Sequence, residues 1–478
     1  MLLARRLDSL PDPESVFVHL YGASPNAFWL DSSSRGERGR FSFIGDASGP
    51  LGAVVTYDVE RAETRIETAG QVETRGESIF GFLAREEAEG DVSGGPARVE
   101  GIDGALPFEF DCGFAGYLGY ELKAECGGSA AHRAAAPDAA LVRAGRLIAF
   151  DHRERHAYLL SLTPGDPWLD QAAEHLAELS QPAEPCPGPP REDFVLRRPR
   201  RRYREDIEAC QRYLAAGHSY EICLTNRAEA SAAADPLDLY RMLRRANPAP
   251  FSAYLRFGGR AVLSSSPERF LSVGRDGWAE TRPIKGTSRR GETPGEDARL
   301  AASLGAGAKF RAENVTIVDL MRNDLGRVCE FGSVSVPDLM RVETYETVHQ
   351  LVSRVRGRLR PEMGPVDAVR ACFPPGSMTG APKLRTMEII DELEGEARGV
   401  YSGAIGWFGR GGACDLSVAI RTIVTEGERV SVGAGGAVVL DSEPEEEFEE
   451  MLLKARAPLS AFGSGDILPL PPEPPRTS

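Results

Sequence analysis

Lys285 stands in the string Arg282-Pro283-Ile284-Lys285-Gly286-Thr287, between a proline that fixes its own backbone and a glycine that lets the chain pass close to a ligand. The pattern predicts a well-defined turn presenting an amine, and a lysine desolvated there could titrate low enough to be a nucleophile. A lysine taken alone is more often a solvated cation, so its neighbours decide the reading. Upstream, Ala261-Val262-Leu263 reads as a short buried strand that runs into Ser264-Ser265-Ser266-Pro267-Glu268, placing the Glu268 carboxyl ahead of the amine. Downstream, the helix opened by Lys309-Phe310-Arg311-Ala312-Glu313 carries Glu313. Near the C-terminus, Glu447 lies three residues before Glu450 and Lys454 four after it, so on a helix predicted from about Pro444 all three share one face. Two acids and a base on one face suit a divalent cation and a bound carboxylate; a glutamate-rich run there equally fits a solvated helix start favoured by the dipole. The loop Pro375–Pro382 precedes a helix from Lys383, whose first amides favour an anion, and Arg421 with Gly435-Gly436 could grip a carboxylate.

Elements able to position these groups are visible along the chain. Residues 1–180 alternate short apolar runs with turns, as in Ser15-Val16-Phe17-Val18-His19-Leu20, Phe41-Ser42-Phe43-Ile44-Gly45 and Leu147-Ile148-Ala149-Phe150, which predicts a sheet-rich region with a few helices. The proline-rich stretch 181–195 predicts a linker, 196–462 a catalytic region, and the proline-rich tail 463–478 disorder. The 478 residues are 42% hydrophobic, enough for a full core. A formal charge of -15 argues against nucleic acid as a partner, and any anionic substrate must meet locally concentrated positive charge or a metal ion. No apolar run is long enough to span a membrane, the first residues lack the core of a signal peptide, and the eight cysteines show no Cys-x-x-Cys pair. A cytoplasmic protein with reduced, mostly buried thiols is expected.

Taken in order, the strings quoted above, with Phe373-Pro374-Pro375-Gly376-Ser377-Met378-Thr379-Gly380-Ala381-Pro382-Lys383, Tyr401-Ser402-Gly403-Ala404-Ile405-Gly406, Ile420-Arg421-Thr422 and Gly433-Ala434-Gly435-Gly436-Ala437, resemble the chorismate-utilising enzymes. That family includes the first components of anthranilate and aminodeoxychorismate synthases, and the isochorismate and salicylate synthases. The resemblance implies an α+β fold of the anthranilate synthase component I type, layered antiparallel β-sheets flanked by helices, with both halves in one intertwined body. It implies magnesium held by Glu313 and Glu450, with Glu447 beside them, and a chorismate pocket formed by Gly286, Thr287, His349, Thr379, Gly380, Tyr401, Arg421, Gly435, Gly436 and Lys454. Phe310 departs from the polar residue common at its position beside Glu313. Ser32, Pro250 and Phe251 match a segment that binds tryptophan in relatives, although packing accounts for them equally well.

Two positions bear on the reaction. Anthranilate synthases typically have alanine where this chain has Lys285, whereas aminodeoxychorismate synthases often carry lysine. Isochorismate and salicylate synthases activate water with a lysine where this chain has Glu221, in a string that resembles the aminodeoxychorismate synthases. The resemblance thus implies amination at C4: Glu268 protonates the departing hydroxyl, Lys285 attacks C2, and ammonia then displaces the lysine to give 4-amino-4-deoxychorismate for p-aminobenzoate and folate or for a secondary metabolite. Lys285 must then be neutral and Glu268 must hold a proton. No Gly-x-Cys-x-Gly glutaminase nucleophile occurs, so free ammonia or a separate glutamine amidotransferase subunit is expected. Anthranilate synthesis and an inactive binding subunit are the alternatives.

Overall fold

The computed structural model describes residues 2–34, 39–90, 99–100, 104–186, 194–231, 233–345 and 348–462. The tail expected at 463–478 and residues 187–193 of the expected linker lie outside the described residues. Two antiparallel-dominated sheets, one of 13 strands and one of 12 among the described residues, stack face to face with helices on their outer sides.

Each sheet draws strands from both halves of the chain. In the first, Asn26–Asp31 pairs with Phe251–Phe257, Trp29 opposite Tyr254; in the second, Gly113–Leu118 pairs with Ala404–Gly409. Strands buried on both faces need apolar residues in succession. Phe28 therefore points between the sheets, its ring 6.2 Å from that of Phe110, while the next residue, Trp29, stacks on Phe17 at 5.4 Å on the helical side. Phe28, Leu255 and Val262 meet Tyr117, Val142 and Ile405 in the inter-sheet core. The far face of the first sheet packs on helices including Arg200–Ala215 and Pro444–Leu459, and that of the second on Ile79–Gly90, Ala308–Gly326 and Pro365–Cys372.

The run Ser15–Leu20, expected as sheet, lies in the helix Pro13–Tyr21. Local chemistry at its start decides this: Asp12 caps it by accepting from the Ser15 N–H at 2.9 Å, and Pro13 occupies the first turn, where its missing N–H costs nothing. Within the proline-rich stretch, Ala183 O and the Glu184 carboxylate are held by Arg241 and Arg245 of the helix Pro236–Ala246. All eight cysteines are unpaired thiols, and no described helix is long and apolar enough to cross a membrane.

Because Phe28 is fully enclosed between the sheets, Phe28→Ala should lower the unfolding free energy by about 3–5 kcal/mol, whereas Val72→Ala, on an exposed strand, should change it by less than about 0.5 kcal/mol. Urea denaturation of the two variants checks this.

Candidate active site

A cavity of 1390 Å³ opens among both sheets, the helix Ala308–Gly326 and the C-terminal helix Pro444–Leu459. Its wall carries Glu268, Lys285, Gly286, Thr287 and Glu313 on one part of the chain and Tyr401, Arg421, Gly435, Gly436, Glu450 and Lys454 on another.

Lys285 reaches the cavity through a strand irregularity and not the expected turn. The strand Ile284–Arg289 pairs with Val348–Arg358, and its register slips between Ile284 and Thr287. Such a bulge interrupts the alternation of side chains and re-aims one of them. Gly286 permits it, at φ +96°, where a Cβ would also stand 3.0 Å from Leu304 and 3.1 Å from the Phe310 ring. The Lys285 Nζ donates to Glu221 Oε1 at 2.5 Å, and both residues are buried. Burial works to lower the lysine's pKa, but attraction to Glu221 and Glu313 outweighs it and raises the group above its ordinary value. Lys285 is thus ion-paired with Glu221, a contact that favours its cationic form.

Glu268 follows the strand Arg260–Ser266 and is fixed by its backbone: its carbonyl accepts from the Val418 N–H at 3.0 Å. Burial pushes its carboxyl up to about 7, against the opposing pull of the Ser377 hydroxyl, Lys285 and Lys454. A substantial protonated fraction thus survives at neutral pH.

Arg421 sits in the left-handed region at φ +52°, a conformation seldom held without compensation by a non-glycine residue. One arm of its guanidinium donates to the Lys454 carbonyl at 2.7 Å, and no described carboxylate lies within ion-pairing distance. Burial lowers its pKa, with Tyr401 and Glu450 opposing. A cation seated this way favours an anionic ligand. Beside it the Lys454 ammonium bridges Gly435 O at 3.0 Å and Glu450 at 2.7 Å. The Tyr401 ring lies over Gly433, where a Cβ would come within 2.2 Å of it.

Glu313 and Glu450 face the same cavity from different helices. Two hard carboxylate donors with room for water and an anionic ligand fit the needs of magnesium, which is seldom held by protein ligands alone. Glu447 is buried; it accepts from Ser442 Oγ at 2.7 Å, and its Oε2 stands 3.2 Å from where a Cβ of Gly436 would be, with Lys454 Nζ and Glu450 Oε1 at 3.6 and 4.0 Å from the same point. No group of three or more potential ligand side chains is assembled among the described residues.

Other expected residues lie elsewhere. His349 is buried, with its ring nitrogens on Thr344 Oγ1 and Asp297 Oδ1 at 2.8 and 2.9 Å; successive strand residues face opposite ways, so its neighbour Gln350 lines the cavity instead. Thr379 turns its hydroxyl onto Gly376 O, and Gly380 packs where a Cβ would stand 1.9 Å from Glu221 O. That loop offers Ser377 and Met378 to the cavity, while the following helix start is occupied by Lys383, which donates to Asp324 and to Cys372 O and Pro374 O. Glu221 and Cys223 share a face of the strand Glu221–Ser231, the first paired with Lys285 and the second in the wall. Ser32, Pro250 and Phe251 come together around a second cavity of 430 Å³, with Pro250 common to both. Gln350, Ser377 and Cys223 were missed; alternation along the strand says that His349 and Gln350 face opposite ways, not which of them faces the cavity.

Below the wall, Arg398 joins its parts. It donates to Met378 O at 2.6 Å, Cys223 O at 2.7 Å and Glu394 at 2.8 Å. Its own backbone and that of Gly399 donate to Glu121, a residue of the first half of the chain.

The comparisons with known proteins agree with this architecture. Residues 28–460 match the family of chorismate binding enzymes. The chain belongs to that family. It is 49% identical to an aminodeoxychorismate synthase of Streptomyces pristinaespiralis over 96% of this chain and 65% of the relative. It is 36% identical to anthranilate synthase component 1 of Streptomyces coelicolor over 95% of this chain and 87% of the relative. The crystal structure of anthranilate synthase component I from Streptococcus pneumoniae superposes with a TM-score of 0.73 at 30% identity, covering 89% of this chain and 93% of that one. The chain spans just under two thirds of the length of the first aminodeoxychorismate synthases it matches.

Gly433→Ala would force a methyl into the Tyr401 ring and should destabilise the fold by about 1–3 kcal/mol, read as a lower urea midpoint at unchanged slope. An unchanged midpoint would mean that the ring moves aside freely.

Proposed function

We infer that this chain converts chorismate and ammonia to 4-amino-4-deoxychorismate, in the manner of an aminodeoxychorismate synthase component I. The observation that carries the reading is a buried lysine, Lys285, in the same cavity as Glu268, whose carboxyl burial pushes up to about 7, and as Arg421, which has no ion pair among the described residues. Relatives named aminodeoxychorismate synthase at 49% and 50% identity support it.

In this reading Arg421 and Lys454 orient one carboxylate of chorismate, and the Gly435-Gly436 backbone lets the ring approach. Glu313 and Glu450 would hold magnesium, which when bound neutralises the other carboxylate. Glu268 donates its proton to the C4 hydroxyl as it leaves, while the Lys285 Nζ, once deprotonated, forms a bond to C2 and the ring double bonds shift. Ammonia then bonds to C4, the Nζ–C2 bond breaks, and Glu268 recovers a proton from the incoming nitrogen. Ammonia is supplied free or by a separate glutamine amidotransferase subunit, in a reducing, cytoplasmic setting that the unpaired thiols suit.

Incubation with chorismate, magnesium and an ammonium salt should yield aminodeoxychorismate without pyruvate, identified by mass and absorbance. Pyruvate with anthranilate would refute the assignment. Glu268→Gln should lower kcat by about 10²–10⁴-fold. Because the protonated form of Glu268 is the active one, kcat/KM for chorismate should fall as pH rises through about 7, and that limb should be absent from the residual activity of Glu268→Gln. Arg421→Gln should weaken chorismate binding by about 10–100-fold in calorimetry, the loss of a charge-assisted pair. Glu313→Ala should raise the magnesium concentration needed for half-maximal activity; an unchanged requirement would remove Glu313 from the metal site.

A further inference from the structure

The mechanism leaves the proton of Lys285 without a destination, and the geometry supplies one. Glu221 Oε1 accepts from Nζ at 2.5 Å, and the second oxygen, Oε2, is buried with no hydrogen-bond partner among the described residues. Both residues are under a tenth exposed, Glu221 at 1%. The backbone that carries this carboxylate is fixed at the start of the strand Glu221–Ser231, where it pairs with Ala381 and the Ser219 hydroxyl donates to the Glu221 carbonyl. The other charged or titratable groups around Nζ are Glu313 from the helix Ala308–Gly326 and Cys223 two residues along the same strand; Glu268 and Lys454 line the same cavity.

We propose that Glu221 is a catalytic partner of Lys285: it holds the Nζ in place as a cation between turnovers and takes its proton as the Nζ–C2 bond forms. The step balances. The N–H bond pair stays on nitrogen and becomes the new N–C bond, the proton passes to a Glu221 carboxylate oxygen, and the C4–O pair leaves with the proton of Glu268. When ammonia displaces the lysine, Glu221 returns the proton to Nζ. The inference rests on the amination reading above. It also makes Glu221 a specificity residue, because its carboxylate is committed to the lysine and is not free to activate a water at C2.

The test compares the wild type with Glu221→Gln and Glu221→Asp in two assays. In the first, without substrate, Lys285 is acetylated by a limiting amount of acetic anhydride at pH 8 and its modification is quantified by peptide mass spectrometry. Loss of the carboxylate removes the nearest of the two negative charges that favour the cation, so Glu221→Gln should acetylate at Lys285 about tenfold faster than the wild type. In the second, ammonia-dependent formation of aminodeoxychorismate should fall by about 100-fold or more in Glu221→Gln, with part of it restored in Glu221→Asp. A merely structural role would not make the amine more reactive toward the anhydride while making it less reactive toward chorismate. Unchanged acetylation, or amination within about threefold of the wild type, overturns the proposal. Should Glu221→Gln fail to fold, the wild type alone decides the pairing: its Lys285 acetylation should rise only above the pH at which exposed lysines react, and a rise at or below that pH overturns it. If the wild type makes no aminodeoxychorismate, the reading of the reaction falls and with it the proton transfer, while the acetylation assay still decides the pairing.

Discussion

A charge taken out of water must be matched, and that constraint organises the centre of this molecule. Buried cations here have partners: Lys285 has Glu221, Arg398 has Glu394, and Lys383 has Asp324. Arg421 breaks the pattern: among the described residues its guanidinium has a backbone carbonyl and no ion pair, and its backbone is held in a disfavoured conformation. It faces the cavity that Glu313 and Glu450 enter from other elements, so charges of both signs line one space. The same constraint sets the state of the two groups assigned to chemistry. Burial with too little compensation raises Glu268 toward neutrality, and burial with more than enough keeps Lys285 positive.

Holding such groups to within hydrogen-bond tolerances requires rigid supports, and the two stacked sheets provide them. Each sheet is continuous across the proline-rich stretch, because strands of the first half pair directly with strands of the second. Arg398 then fastens the Met378 loop to the strand of Glu221 and Cys223, and Glu121 fastens Arg398 to the first half of the chain. The geometry of the cavity therefore depends on residues far from it in sequence. A bulge beside Gly286 completes the arrangement by turning Lys285 inward.

Residue types that can do chemistry were legible in the sequence: Lys285, Glu268, Glu313, Glu450, Tyr401, Arg421 and Lys454 all meet in one cavity, and the layered α+β architecture agrees with that of the structural relative. What was not legible depended on a single residue of register or on partners distant in sequence. His349 and Gln350 are neighbours, and only the strand register says which one faces inward. The run Ser15–Leu20 has an apolar pattern compatible with a strand, and the cap at Asp12 settles it as helix. Thr379 and Gly380 sit in a loop whose backbone is consumed by pairing with the strand of Glu221. The charge on Lys285 follows from Glu221, 64 residues away, which no local pattern around the lysine could show.

The most direct test of the account is the mass of the protein after a rapid acid quench from chorismate and magnesium in the absence of ammonia. A covalent role for Lys285 predicts a gain equal to one chorismate less one water, located on the peptide that contains Lys285 and absent from Lys285→Ala. An unmodified chain that nevertheless forms aminodeoxychorismate at full rate once ammonia is added would show that the amine is not the nucleophile.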